Sequence, residues 1–264
     1  MPENNLVYST PEALGISSQS ILAFLEDMKT YKIPLHSYLV LRHGKVAAEG
    51  YCAPFDADTK HRMYSISKSF TSVAIGMLIT EGRLSVNDKV AEIFPEYIPE
   101  NPSPYILKAT VRDCLMMAVF NETGCYDWDT PDWVKCFFDN DTYKQMPGTV
   151  FHYDTNATVV LAGIVEKLTG KKVLEYMRPL LDELGISKDI WCVKSPDERS
   201  WTGSGILCIE LGSGLQLSGL FLAVPHGDAV PPPQLAGNAP VLNTLEPVGV
   251  GLCPVSGTEY DVTI

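Results

Sequence analysis

The chain has 264 residues, of which 45% are apolar and 20% are charged. This composition predicts a globular protein with a substantial core and excludes a disordered or collagen-like polymer. Thirty-two acidic residues against twenty basic ones give a net charge of −12, which disfavours nucleic acid as a partner because binding to phosphates depends on clustered lysine and arginine.

The cysteines and the N-terminal segment predict a cytoplasmic protein. The seven cysteines are odd in number and show no C-x-x-C or zinc-type spacing, which indicates reduced and mostly buried thiols. The N-terminal segment lacks the basic-then-apolar order of a secretory signal. Every apolar run is interrupted before it reaches the length of a bilayer span. We therefore expect no membrane contact, while the oligomeric state stays open.

The first third of the chain predicts a helix, a hairpin and a second helix. Residues 17–31 carry apolar side chains at helical spacing after a serine-rich start. Residues 37–41 and 45–51 flank a short turn that contains glycine, which is the pattern of a β-hairpin. Residues 67–80 form the most apolar helical segment, and Gly82 follows where helix C-termini favour glycine.

The middle of the chain is predicted to be helical, and its last quarter differs in composition. Helical patterns cover residues 111–117, 131–138, 157–168 and 173–181. All 20 lysine and arginine residues lie within the first 199 positions, and the last 65 hold none. Beyond Pro225 the sequence predicts no helix or strand.

A serine and a lysine stand three residues apart at the head of the most apolar helix, as Ser65 and Lys68. A serine hydroxyl becomes a nucleophile when a base lies within hydrogen-bond reach, and a partly desolvated lysine can be that base. The pattern alone is common, and its simpler interpretation is a helix cap beside a solvated lysine. However, a first-turn lysine opposes the helix dipole, and the following helix is too apolar to be a solvated surface helix.

The run from His61 to Val90, HRMYSISKSFTSVAIGMLITEGRLSVNDKV, resembles the serine β-lactamase-related family. That family includes class C β-lactamases, penicillin-binding-protein-like peptidases and family VIII esterases. Its E-G-x-L and D-x-V elements correspond here to residues 81–84 and 88–90. Further along, Pro147-Gly148 and Phe151-His152-Tyr153 resemble the segment that supplies the second motif of the family.

The likeness extends from about Val7 to Cys208 and implies an α+β fold of the β-lactamase/transpeptidase type. In that fold an antiparallel sheet is flanked by helices, with a helical subdomain beside it. We accordingly expect a family domain over 1–208 and an atypical tail over 209–264. The resemblance implies no cofactor and no metal.

The resemblance also implies roles for individual residues. Ser65 would be the acylated nucleophile, Lys68 its activating neighbour, and Tyr153 the second-motif phenol that moves protons. The strict motif is Tyr-x-Asn, whereas here Thr155 occupies the third position and Asn156 the fourth. Either could contact substrate. Outside the resemblance, Tyr153 could be a half-buried aromatic that precedes a helix.

Other polar residues are weaker candidates. His152 could shuttle protons, although a lone histidine is more often structural. An acidic group lies in a tryptophan-containing loop, where a solvated surface is the simpler interpretation; its members are Glu122, Asp127, Asp129 and Asp132. Asp139-Asn140-Asp141 lacks the glycine and the terminal glutamate of a calcium loop.

The third motif of the family, a Lys-Thr-Gly or His-x-Gly type strand, has no clear counterpart. The nearest candidates are Ser256-Gly257-Thr258 and His226-Gly227, and neither has a strand-like approach. Because this motif donates to the oxyanion hole, its loss would cost about 10²–10³ in rate. We expect the tail after about Cys208 to be out of register with the family, through a frameshift or truncation.

Together these features predict a serine hydrolase that cleaves a small ester or amide through an acyl-enzyme on Ser65. The alternative is a catalytically silent or damaged relative that binds a substrate without turning it over. The sequence leaves the natural substrate open.

Overall fold

The protein is described by a computed structural model over residues 6–121, 129–140, 142–200, 206–208 and 260–263. The described residues form two compact units, one within residues 57–208 and one from residues 6–56 with 260–263. The predicted boundary near residue 208 stays a prediction.

The unit that contains residues 6–56 and 260–263 is built on a small sheet of parallel and antiparallel strands. Its strands are β1 (Val7–Tyr8), β2 (Ser37–Arg42), β3 (Lys45–Cys52) and β7 (Tyr260–Thr263). The predicted hairpin is β2 and β3, which pair antiparallel. Its turn has positive φ at His43 and Gly44, 52° and 71°, as two-residue hairpin turns of the right twist require.

Strand β7 corrects one prediction. The sequence beyond Pro225 predicted no strand, but Tyr260–Thr263 pairs antiparallel with β3 over Glu49–Cys52. Tyr260-Asp261-Val262-Thr263 does alternate apolar and polar side chains, but only over four residues, the shortest run that indicates a strand. Their tyrosine, valine and threonine nevertheless suit a pleated sheet.

Helix α1 (Ser18–Thr30) supplies the apolar face of this unit. Ile21 and Leu25, one turn apart, pack with Tyr38 of β2 and Ala48 of β3 in a single buried cluster. Gly50 is needed beside this cluster, because a Cβ at that position would lie 2.4 Å from the ring of Tyr38.

The second unit is mainly helical, as predicted for the middle of the chain. Its helices are α2 (Ser67–Thr80), α3 (Val90–Ile93), α4 (Val111–Leu115), α5 (Trp133–Asp139), α6 (Thr155–Thr169) and α7 (Val173–Glu183). Helix α2 has the predicted bounds, and α6 begins two residues before the predicted start. Gly82 has a φ of 68°, so the residue after the C-cap of α2 is left-handed as expected.

Helices α2 and α6 pack against each other in the core of this unit. Phe70, Ile75 and Leu78 of α2 are fully buried. Every residue of α6 from Asn156 to Val165 is buried, so this part of the helix is covered on all sides. A helix with that environment is held rigidly, which matters because residues just before both helices form the candidate site.

A three-stranded antiparallel sheet completes the second unit. Its order is β4 (His61–Arg62), β6 (Ile206–Cys208) and β5 (Trp191–Cys192). The sequence did not predict these strands, since two or three residues show no alternation. Strands and helices together confirm the α+β class. Within the described ranges, no helix has both the length and the apolar character of a membrane span.

Candidate active site

Ser65 lies in a 3-10 turn, Tyr64–Ile66, that leads directly into α2. Tyr64 has a φ of 44°, in the left-handed region that costs a bulky residue about 1–3 kcal/mol. Strand β6 fixes the turn from both sides. The Met63 N–H donates to the Ile206 carbonyl at 2.9 Å, and the Ile206 N–H donates to Ser67 Oγ at 3.2 Å.

The three residues predicted to act together are brought together. Lys68 Nζ donates to Ser65 Oγ at 3.1 Å, and the Tyr153 hydroxyl donates to the same oxygen at 2.6 Å. The ammonium of Lys68 also lies 5.0 Å from the centre of the Tyr153 ring, which is within cation–π range. Ser65 Oγ is therefore contacted from two sides by groups that can exchange protons.

The electrostatics of this cluster favour ionisation of the phenol. Partial burial raises the pKa of Tyr153, but hydrogen bonds with Lys68 and Ser65 and the positive charge of Lys68 outweigh it, so the pKa lies below its ordinary value. Tyr153 is 52% exposed and is open to a substrate. An exposed phenol that ionises more easily beside a serine hydroxyl can act as a base.

The residue after Tyr153 anchors the start of α6. Asp154 is the N-cap of the helix, and its Oδ1 accepts from the Asn156 N–H at 2.8 Å. Its other oxygen accepts from Asn121 Nδ2 at 2.7 Å. Burial raises the pKa of Asp154 despite these hydrogen bonds and the N–H of Ala157.

A second anchor comes from Met117, which follows α4. Its carbonyl accepts from the His152 N–H at 2.8 Å, and its sulfur accepts from the Asp154 N–H at 3.4 Å. Met117 thus accepts hydrogen bonds from the N–H groups of the residues immediately before and after Tyr153. Sequence reasoning missed Met117 and Asn121, for which no local signal exists; Asp154 was detectable as a preferred N-cap residue before a helical pattern.

The two candidates for substrate contact differ in exposure. Thr155 is the first residue of α6 and is half-buried. Asn156 is 1% exposed, and neither its Nδ2 nor its Oδ1 has a hydrogen-bond partner among the described residues. A buried amide without partners is rare in folded proteins and needs an explanation.

The weaker candidates have structural contacts. The His152 ring packs on Phe120, with centroids 4.8 Å apart. Asp132 caps α5 through the Lys135 N–H and pairs with Arg199 at 3.0 Å. The part of the chain that the structure describes holds no group of three or more side chains placed to bind a metal. Asp129 is exposed, while Glu122, Asp127, Asp141 and both third-motif segments lie outside the described residues.

Comparison with known proteins agrees with this architecture. The family model described as Beta-lactamase matches residues 23–202, more than half of the chain. A 6-aminohexanoate-dimer hydrolase from Paenarthrobacter ureafaciens is 29% identical over 194 residues, which are 65% of this chain and 48% of that protein. The chain thus spans about half the length of this curated relative.

Solved structures show the same fold. A penicillin-binding protein homologue from Pyrococcus abyssi superposes with a TM-score of 0.60 and 22% identity, covering 78% of this chain and 56% of that one. A D-amino acid amidase from Ochrobactrum anthropi superposes with a TM-score of 0.58 and 16% identity, covering 75% and 71%. The predicted β-lactamase/transpeptidase-like fold is therefore confirmed.

Proposed function

The chain belongs to the Beta-lactamase family, and from that membership we propose that it is a serine hydrolase. It cleaves a small ester or amide through a covalent acyl-enzyme on Ser65. The observation that carries this proposal is the convergence of Lys68 Nζ and the Tyr153 hydroxyl on Ser65 Oγ, at 3.1 Å and 2.6 Å. Hydrolase and amidase names among the relatives support the reaction class.

In the acylation step the Tyr153 phenolate takes the proton of Ser65, and Oγ attacks the substrate carbonyl carbon. The tetrahedral intermediate collapses when the bond to the leaving group breaks. Tyr153 returns its proton to the departing oxygen or nitrogen, so that the acyl group stays on Ser65. Water then attacks the acyl ester with the phenolate as base, and Ser65 is regenerated.

Lys68 supports this chemistry by its charge. A cation beside the phenol favours the phenolate. Burial raises the pKa of Tyr153, but the hydrogen bond and the charge of Lys68 are among the effects that lower it below its ordinary value. A neutral amine at Lys68 that takes the Ser65 proton itself is the competing route. The two routes make different predictions for substitution by arginine.

We propose that Thr155 and Asn156 make polar contacts with the substrate. The buried amide of Asn156 has no hydrogen-bond partner in the described part of the chain. This supports the assignment, since an unsatisfied buried polar group persists where function requires it. We also propose that the protein is cytoplasmic and has no nucleic-acid partner. The acidic net charge and the free, buried thiols of Cys52 and Cys114 support these two points.

The decisive experiment is covalent labelling followed by intact mass measurement. Wild-type protein incubated with a fluorophosphonate or a fluorescent penicillin is expected to gain one adduct, and Ser65→Ala is expected to gain none. A protein that folds but takes no adduct would instead support the catalytically silent relative.

A further inference from the structure

The exposure of Tyr153 and the irregular backbone around it do little to fix the position of its side chain. The residue is 52% exposed, and residues 151–154 form no helix or strand. An exposed side chain on an irregular segment has many accessible rotamers. The 2.6 Å contact with Ser65 therefore requires that the backbone at Tyr153 be held from elsewhere.

Three residues make the hydrogen bonds that hold the backbone around Tyr153, and two of them have buried polar side chains. Met117 accepts hydrogen bonds from the N–H groups on both sides of Tyr153, through its carbonyl at 2.8 Å and its sulfur at 3.4 Å. Asp154 and Asn121 are 5% and 2% exposed and share a hydrogen bond of 2.7 Å. That bond links the segment of Tyr153 to the chain that follows α4.

The backbone of Met117 is itself unusual. Its φ is 53°, which for a methionine is an energetic cost of about 1–3 kcal/mol that the surrounding contacts must offset. This conformation coincides with the approach of both its carbonyl and its sulfur to one short segment. Strained residues of this kind concentrate where a defined geometry is required.

We propose that Met117, Asn121 and Asp154 act together as positioning residues for the second-motif phenol. We call these three residues the tyrosine clamp. They act by fixing the backbone of His152 and Asp154, the residues immediately before and after Tyr153. The inference rests on the proposed function, because a fixed phenol matters only if it transfers a proton.

A pH profile separates this role from a purely structural one. Lys68 of α2 is the charged group that acts on the phenol, while His152 and Asp154 flank it along the chain. If the clamp loosens, the phenol moves away from Lys68 and Ser65, and its pKa rises toward the ordinary value of about 10. The alkaline rise of the labelling rate then moves to higher pH. A simple loss of folded protein lowers the rate equally at every pH.

The first test replaces the sulfur acceptor. Met117→Leu keeps the volume but removes the partner of the Asp154 N–H. We expect fluorophosphonate labelling to slow by about 2- to 10-fold, as for the loss of one hydrogen bond, with the alkaline rise displaced upward. Met116→Leu is the matched control, since Met116 is 49% exposed, and it should label like wild type.

The second test exchanges the buried pair. Asn121→Asp sets two carboxyl groups against each other and should slow labelling more than Met117→Leu does. Adding Asp154→Asn restores a donor and an acceptor, because an amide side chain at position 154 can still cap α6 and donate to the new carboxylate. The double variant is therefore expected to recover most of the rate even if Asn121→Asp folds poorly.

Three results would overturn the inference. One is a wild-type rate and pH profile for Met117→Leu, another is a slower rate with an unmoved alkaline rise, and the third is a double variant no faster than Asn121→Asp alone. All three presuppose that wild type takes a Ser65-dependent adduct. If wild type takes no adduct, the proposed function fails rather than the clamp alone.

Discussion

The phenol oxygen of Tyr153 lies 2.6 Å from Ser65 Oγ, although 88 residues separate them along the chain. Each residue stands just before a helix, Ser65 before α2 and Tyr153 before α6. Because these two helices pack together in the core, their N-terminal ends are held side by side. The buried helices thus set the geometry of two exposed side chains.

The phenol should control the pH dependence of acylation. Because the pKa of Tyr153 is lowered, the labelling rate should rise with pH, and the midpoint of that rise should lie below the ordinary phenol value of about 10. Tyr153→Phe is expected to slow labelling by about 10²–10⁴-fold and to abolish the rise. Adduct formation followed by mass against pH measures both effects. An unchanged profile in Tyr153→Phe would exclude the phenol as base.

Two substitutions of Lys68 distinguish the competing routes. Lys68→Arg keeps a permanent positive charge, whereas Lys68→Met removes it. If the charge of Lys68 supports the phenolate, the arginine variant should label faster than the methionine variant. The increase in labelling rate with pH should also occur at lower pH in the arginine variant than in the methionine variant.

The measurement is again the labelling rate across pH, with thermal unfolding to verify that both variants are folded. Equal and large losses in the two variants would favour the route in which the amine of Lys68 itself takes the Ser65 proton.

Local sequence signals explain why much of this fold was predictable. The continuous apolar character of residues 67–80 and the glycine at position 82 defined both ends of α2. The hairpin was also predictable, because apolar and β-branched residues lie on both sides of a glycine-containing turn. By contrast, β4 and β5 have two residues each, so no periodic pattern can reveal them.

The candidate site was predictable only where a motif marks it. Ser65, Lys68 and Tyr153 belong to patterns that the family resemblance carries. Met117 contributes a carbonyl and a weakly accepting sulfur across a distance of 35 or more residues. Such contacts arise from tertiary packing, and the residue type alone gives no indication of them.

Asn156 should show opposite effects on stability and activity. Its amide is buried with no partner among the described residues, and an unsatisfied buried group costs about 1–3 kcal/mol. Asn156→Leu, of similar size, should therefore raise the free energy of unfolding while lowering kcat/KM. Urea unfolding and ester hydrolysis measure the two effects. If both quantities fell together, the amide would have a structural partner rather than a functional role.

Ser67 should contribute to stability through β6. It is fully buried, and its hydroxyl accepts from the N–H of the equally buried Ile206. Ser67→Ala leaves that N–H unpaired and should lower the free energy of unfolding by about 1–3 kcal/mol. Ser69→Ala is the matched control, because Ser69 is exposed on the same helix, and it should change stability little. Equal effects in urea unfolding would contradict this assignment.

Two glycines should respond to alanine with opposite signs. Gly148 has a φ of 82°, and a Cβ there would lie 2.8 Å from Oδ1 of Asp113. Gly148→Ala should therefore destabilise the fold by about 1–3 kcal/mol. Gly76, inside α2, has open space around its missing Cβ, so Gly76→Ala should stabilise by about 1 kcal/mol through helix propensity. Urea unfolding of both variants gives the sign directly, and a stable Gly148→Ala would show that the turn before the second motif tolerates another conformation.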